Sequence, residues 1–213
     1  MALKLYLHPL SSYCHKALTA LYENDTAFQP VLVDATTIGE FRKLWPLGKF
    51  PVLHDEARGE LVPESTIIIE YLSLHYPGKV ALIPSDPERA RQVRMRDRFF
   101  DLYLHTPMQK FAGDRLRPAD KRDPYGVDEA RRAYIAALDM AESDLAGKTW
   151  AVGGEFTMAD CAAGPALFYG NLFFGPLHQT HPVSMAYLDR LMQRPSYARA
   201  LREAEPFMHL LPK

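Results

Sequence analysis

The sequence predicts a helix-rich chain in two parts, an α/β half with a four-stranded mixed sheet followed by a half built of helices alone. Three observations lead there. Strand, helix and strand patterns follow one another in the first 33 residues. Two brief strand patterns on either side of a five-residue turn come next, and beyond Gly78 only helical patterns follow. With 213 residues, 47% of them hydrophobic, the chain is long enough for a full core.

Taken in order, Lys4-Leu5-Tyr6-Leu7-His8 alternates as a short strand. Pro9 stops it, and Ser11 or Ser12 caps a helix running to about Asn24. Phe28 to Val33 reads as the second strand, and strand-helix-strand order implies a parallel pair with a right-handed crossover. After a short helix around Gly39 to Lys43, Pro51–His54 and Glu60–Val62 form a hairpin, so the sheet is mixed. Pro63-Glu64-Ser65 opens an apolar helix that Pro77-Gly78 ends. Residues 1–78 therefore form one domain, 79–85 a linker and 86–213 a second domain. The second opens on Ser85-Asp86-Pro87-Glu88, which reads as a capping box with proline near the helix start. Its helices are expected over Asp86 to about Lys110, Val127–Leu145, Thr157 to about Tyr169, Met185–Met192 and Ser196–Glu203, with Pro118–Tyr125 a polar surface loop.

Composition excludes several classes. The 25 basic and 26 acidic residues give a net charge of -1 and are mixed along the chain, so no field attracts nucleic acid or an anionic membrane. Arg91, Arg94, Arg96 and Arg98 point around a helix as a solvated face or a domain contact. No apolar run approaches the roughly 20 residues that span a bilayer, and Met1-Ala2-Leu3-Lys4 leads into a strand without a signal peptide's regions. A cytoplasmic protein is the expectation, with Cys14 and Cys161 too few for a disulfide framework. His178 and His181 are spaced closely but lack a zinc protease's helix and glutamate, so no metal is expected.

Three places carry chemistry. Pro9-Leu10-Ser11-Ser12-Tyr13-Cys14 lies at a helix N-terminus, where N–H groups, the helix dipole and a serine hydroxyl stabilise an anion such as a thiolate; the plainer role of either serine is an N-cap. In Gly48-Lys49-Phe50-Pro51, Pro51 is a candidate cis proline that turns the Phe50 backbone outward to pair with an extended peptide; a trans proline at a strand start is the plainer alternative. At the next helix start Ser65 suits a carboxylate and Glu64 an ammonium group, the two ends of an amino-acid head, although both are ordinary helix-start residues.

In this order the three places resemble the glutathione transferase family over essentially the whole chain, most strongly over residues 1–77. Leu5-Tyr6 through Pro9-x-Ser11 and Lys16 is similar to its serine-type subfamilies. The resemblance implies a thioredoxin-like first domain, with Ser11 hydrogen-bonding the glutathione thiolate and Phe50 beside cis Pro51 pairing with the cysteinyl backbone. It places the γ-glutamyl end at Glu64 and Ser65 and the glycyl carboxylate at Lys49. Phe156-Thr157-Met158-Ala159-Asp160 looks like the family's buried capping box, a folding element with Thr157 as cap. Trp45 departs from the asparagine the family commonly carries there. Ser12, Tyr6 and Cys14 stand as alternatives to Ser11, since Ser-x-x-Cys also resembles a redox motif with its first cysteine replaced.

The implied activity is conjugation of glutathione, as co-substrate, to small hydrophobic electrophiles in detoxification, with peroxide reduction as a further activity and a homodimer as the assembly. The electrophile pocket is expected between the domains, with Phe99, Tyr103, His105, Met108 and Phe111 as walls. Alternatives are a noncatalytic ligand carrier or protein interaction module on the same fold, and a glutathione-dependent isomerase, dehalogenase or thiol transferase.

Overall fold

The protein, seen in a computed structural model, is described over residues 2–211. Strand β1, Leu3–Leu7, buries every second residue, Leu3, Leu5 and Leu7, into the main core. The alternate residue Tyr6 turns to the opposite face. Helix α1, Ser12–Glu23, carries the chain across to β2, Gln29–Leu32, which runs parallel to β1 from Lys4↔Gln29 to Leu7↔Leu32. β2 is shorter than expected: Phe28 packs on Tyr22, and Val33 adds one hydrogen bond to Leu7 beyond the strand's end.

Helix α2, Ile38–Leu44, covers Tyr6, Val33 and Val52 with Phe41. The hairpin follows as β3, Val52–Asp55, and β4, Glu60–Pro63, giving the sheet order β2-β1-β3-β4 with β3 antiparallel to both neighbours. The expected hairpin strands are each shifted or extended by one residue, because the ladder begins at Val52, which pairs with Tyr6 on one side and with Pro63 on the other. Helix α3, Ser65–His75, packs beside α1, so apolar side chains cover both faces of the sheet.

The expected linker is held at both ends. Asn24 donates to the Val80 carbonyl at 3.0 Å and accepts its N–H at 2.8 Å, and Met158 N–H reaches the Leu82 carbonyl at 2.8 Å. Gly78 is glycine because a Cβ there would lie 2.4 Å from the Asn24 side chain.

Two expectations for the next helix need correction. Asp86, not Ser85, caps α4, Pro87–Phe99: its carboxylate accepts the Arg89 N–H at 2.8 Å, while Glu88 bonds Arg91 and Gln92 instead of reaching back. The single helix expected to about Lys110 is α4, a π-helical stretch over Phe100–His105, and α5, Thr106–Arg115. Pro107 supplies the reason. It has no N–H to donate and its ring would strike the carbonyl of a preceding α turn, so the wider winding accommodates it. The N–H of Thr106 accordingly reaches back five residues to the Asp101 carbonyl.

The remaining helices are α6, Pro124–Leu145, α7, Met158–Phe174, α8, Pro182–Gln193, and α9, Pro195–Ala204. Short 3-10 turns occupy Ala119–Lys121, inside the expected loop, and Glu205–Leu210, which sequence periodicity is too brief to reveal. Helix α7 is buried on nearly all sides and packs against α1, α4, α5 and α8. Its start is a capping box. The Asp160 carboxylate accepts the Thr157 N–H at 2.8 Å and hydroxyl at 3.0 Å, the Ala151 N–H at 2.8 Å and the Tyr187 hydroxyl at 2.5 Å. Asp160→Ala leaves these buried donors without an acceptor, and urea denaturation should show a loss of about 3–5 kcal/mol.

Candidate functional site

The turn between β1 and α1 is held from several directions. Ser11 N–H donates to the His8 carbonyl at 2.9 Å, Leu10 N–H donates to His8 Nδ1 at 3.2 Å, and His15 Nε2 lies 2.6 Å from the Pro9 carbonyl. Burial pushes the His15 pKa down to about 4, so the ring is neutral and donates to that carbonyl. Ser11 is the N-cap, its Oγ accepting the Cys14 N–H at 3.3 Å. Both serines reach a cavity of about 260 Å³ between the sheet half and the helical half. Its other walls include His8, Phe50, Met108, Gln109, Tyr169 and Phe173, with Leu210 and Leu211 across the top.

A second hollow of about 220 Å³ adjoins it, with Phe50 common to both. Pro51, Lys49, Glu64 and Ser65 line it from the sheet half, Tyr13 and Trp45 from α1 and the end of α2, and Arg98 and Asp101 from α4 and the π stretch. Ser65 is the first residue of α3, so the helix N-terminus opens into the hollow. Glu64 holds φ at 70°, a left-handed conformation costly for a side-chain-bearing residue, with its carboxylate exposed beside that N-terminus. Cationic and anionic groups thus line one hollow, which suits a zwitterionic head and a separate carboxylate.

Beneath the hollow lies a buried ionic cluster. Lys16 Nζ, fully buried on α1, sits 2.6 Å from Asp97, 2.7 Å from Asp101 and 2.7 Å from the Thr66 hydroxyl of α3. Arg98 closes the cluster from outside onto Asp97, Asp101 and Thr66. Although burial opposes it, the His105 hydrogen bond and the Lys16 charge hold the Asp101 carboxyl well below the usual carboxylate range.

The cavity corrects the expected pocket walls. Of the five residues, Met108 lines it. Phe99 is buried against Phe100, Tyr103 lies exposed over Phe99, His105 is buried against Tyr13 and Asp101, and Phe111 packs on Phe173 and Phe174. Helical spacing marks the inward face but does not say whether a cavity or another helix faces it. Tyr6 lies on the far face of the sheet, its ring 5.5 Å from Phe41 and in neither hollow. Cys14 is fully buried, and burial pushes its thiol up to about 12, which removes it as a thiolate nucleophile. Ser12 is also buried and accepts a hydrogen bond from Gln109 at 3.0 Å.

Sequence reasoning missed His8, Gln109, Tyr13, Arg98 and Asp101 as wall residues. Arg98-x-x-Asp101 was a usable signal, since residues three apart share a helix face, as was the departure at Trp45. Among the described residues no group of three or more His, Cys, Asp and Glu is arranged to hold a metal.

A mixed four-stranded sheet with helices on its faces, followed by a helical half, defines a thioredoxin-like domain joined to an all-helical one. Comparison with known proteins is specific. The profile for "Glutathione S-transferase, N-terminal domain" matches residues 5–80 and that for "Glutathione S-transferase, C-terminal domain" matches residues 102–195. The chain belongs to the glutathione S-transferase family. It is 24% identical over 196 residues to glutathione S-transferase GstB of Escherichia coli K12, covering 90% of this chain and 93% of that one. It is 32% identical over 133 residues to the glutathione S-transferase-like protein LUC7 of a Fusarium species; there the match covers 61% of this chain and only 58% of the Fusarium protein. The crystal structure of a glutathione S-transferase from Methylobacillus flagellatus with GSH bound superposes with a TM-score of 0.83 at 26% identity, over 93% of this chain and 98% of that one.

Two outcomes test this site. Lys16→Met removes the buried ammonium from two carboxylates and leaves Arg98 alone to compensate both from the outside, and chemical denaturation should show a loss of about 3–5 kcal/mol. Cys14 and Cys161, both free and fully buried, should remain unlabelled by an aromatic disulfide reagent in the native protein and both react once denaturant is added.

Proposed function

We propose that this protein is a glutathione transferase that adds the glutathione thiolate to small apolar electrophiles. The observation that carries this reading is that Phe50 lines both hollows: a polar trough with Pro51 and Glu64-Ser65 lies on one side of it and an apolar cavity with Ser11 on the other. In this reading the γ-glutamyl carboxylate meets Ser65 and the N-terminus of α3, and its ammonium meets Glu64 and Asp101. The cysteinyl backbone pairs with Phe50, and Lys49 receives the glycyl carboxylate. The sulfur then lies at the N-terminus of α1, where the Ser11 hydroxyl donates a hydrogen bond to the thiolate.

A free thiol titrates at about 8.5, so few molecules are ionised at neutral pH. Donation by Ser11 and the positive end of α1 lower that value, and fixing the nucleophile beside a bound electrophile supplies the proximity. Burial of Cys14 speaks against thiol transfer through an enzyme disulfide. The residue roles at Ser11, Lys49, Phe50, Pro51, Glu64 and Ser65, the division at residues 78 and 86, and a cytoplasmic detoxifying role are parts of the same proposal. A homodimer belongs to it too, formed through the exposed apolar residues Ile67, Leu74, Met95 and Leu102 of α3, α4 and the π stretch. No helix among the described residues is long and apolar enough to cross a membrane.

Calorimetric titration with glutathione tests the reading first, and absence of binding would move a carrier or interaction role ahead. Ser65→Ala should weaken binding about 10-fold, the loss of one charge-assisted hydrogen bond. Ser11→Ala should leave binding nearly intact while the bound thiol's pKa rises toward the free value of about 8.5. Conjugation at pH 7 should then fall on the order of 10- to 100-fold and recover toward pH 9, where the thiol ionises unaided.

A further inference from the structure

The cavity beside Ser11 is apolar on most sides, through Phe50, Met108, Phe173 and the ring of Tyr169. The Tyr169 hydroxyl itself is shut off from solvent inside the protein. The polar walls are His8, Ser11, Ser12 and Gln109. Ser11 serves the thiolate in the reading above, and Ser12 and Gln109 are bonded to each other at 3.0 Å. His8 differs from these. Its Nδ1 accepts the Leu10 N–H, so in the neutral ring the proton must sit on Nε2, at the far side of the imidazole from the backbone. Partial burial lowers the pKa of His8 from its ordinary value, against the opposing charge of Asp34, and so favours the neutral ring. Among the described residues this Nε2–H has no partner.

The ring is also held in place. Phe50 lies 6.3 Å away and Phe207, from the 3-10 turn, meets it edge-on at 5.7 Å. The Ser11–His8 backbone hydrogen bond of 2.9 Å puts the histidine and the thiolate site on one tight turn. The histidine that lines the cavity beside Ser11 therefore carries its open donor at Nε2, next to the place where the thiolate stands in the reading above.

We propose that His8 is a catalytic hydrogen-bond donor which favours apolar electrophiles whose reacting carbon is conjugated to a carbonyl oxygen. The proposal rests on the transferase reading and deepens it. In the step, the thiolate sulfur forms a bond to the β-carbon, the C=C π pair shifts toward the carbonyl carbon, and the carbonyl π pair moves onto oxygen. Negative charge thus passes from sulfur to an enolate oxygen, where His8 Nε2–H donates to it without giving up its proton. Water then protonates the α-carbon, and nothing is oxidised or reduced. A donor aimed at an oxygen that gains charge acts on the transition state more than on the ground state. An alkyl halide, whose charge leaves with the halide, gains nothing from it.

The test compares kcat/KM for benzylideneacetone and for benzyl chloride, each with glutathione, in the native protein, His8→Asn and His8→Gln. The asparagine keeps an acceptor for the Leu10 N–H but withdraws the donor from the cavity, whereas the glutamine places an N–H near the position of Nε2. The ketone-to-chloride ratio should fall on the order of 10- to 100-fold in His8→Asn, mainly through kcat, and return most of the way in His8→Gln. An unchanged ratio in both variants would show that His8 only packs, and would sink the proposal while leaving the transferase reading intact. Native protein that turns over the chloride but not the ketone would overturn it equally. Turnover of neither compound by protein that binds glutathione would overturn this inference alone, whereas protein that also fails to bind glutathione would overturn the transferase reading with it.

Discussion

A lysine ammonium with no access to water governs how the two halves of this protein meet. Lys16 rises from α1, the first helix of the sheet half, and ends among Asp97 and Asp101 of the helical half and Thr66 of α3. Burying one such charge alone is prohibitive, so the lysine and its carboxylates tolerate only arrangements in which they meet. Association of the halves by apolar area alone would allow sliding. The ionic cluster restricts it, and because Asp101 and Arg98 also line the polar hollow, the same cluster holds two of the hollow's wall residues in place.

The site is assembled around two short backbone features. The turn from His8 to Ser11 joins strand to helix, and its hydrogen bonds hold a serine and a histidine at the wall of one cavity. The Phe50–Pro51 segment lies opposite, before the β1–β3 ladder begins, with the Phe50 ring between polar trough and apolar cavity. Neither feature is a regular element, yet each is anchored by one. The cavity-lining side chains are thereby carried by short segments whose ends are fixed in regular elements, while the Phe50 backbone stays outside the ladder.

Much of this was legible in the chain because local rules act on local residues. The period-2 alternation of Leu3, Leu5 and Leu7, the serine cap of α1, the turn between β3 and β4 and the Thr157–Asp160 box each depend on neighbours within a few positions. The cis proline was legible as a candidate only from its order after strand, helix and strand. What stayed hidden depends on distant partners. Phe99 and Phe111 carry the pattern of pocket walls but are met by other aromatic rings, whereas Tyr169 and Phe173 carry the pattern of core and meet a cavity. Arg98 reads as one more arginine on a solvated face until Lys16, 82 positions earlier in sequence, gathers the carboxylates it shares. The π stretch was hidden for another reason: Pro107 is tolerated near a helix start, and α5 does start there, so the residue marks a change of winding inside what otherwise reads as one helix.

Glu64 has a consequence for how this fold responds to selection. Its backbone holds a conformation that glycine adopts freely and that costs a side-chain-bearing residue on the order of 1–3 kcal/mol. The molecule therefore carries a reserve of stability one substitution away, at a position where gaining it removes a carboxylate from the rim of the polar trough. Selection for heat resistance alone would drift toward glycine at this point, and what it would erode first is the charge balance of the trough rather than folding.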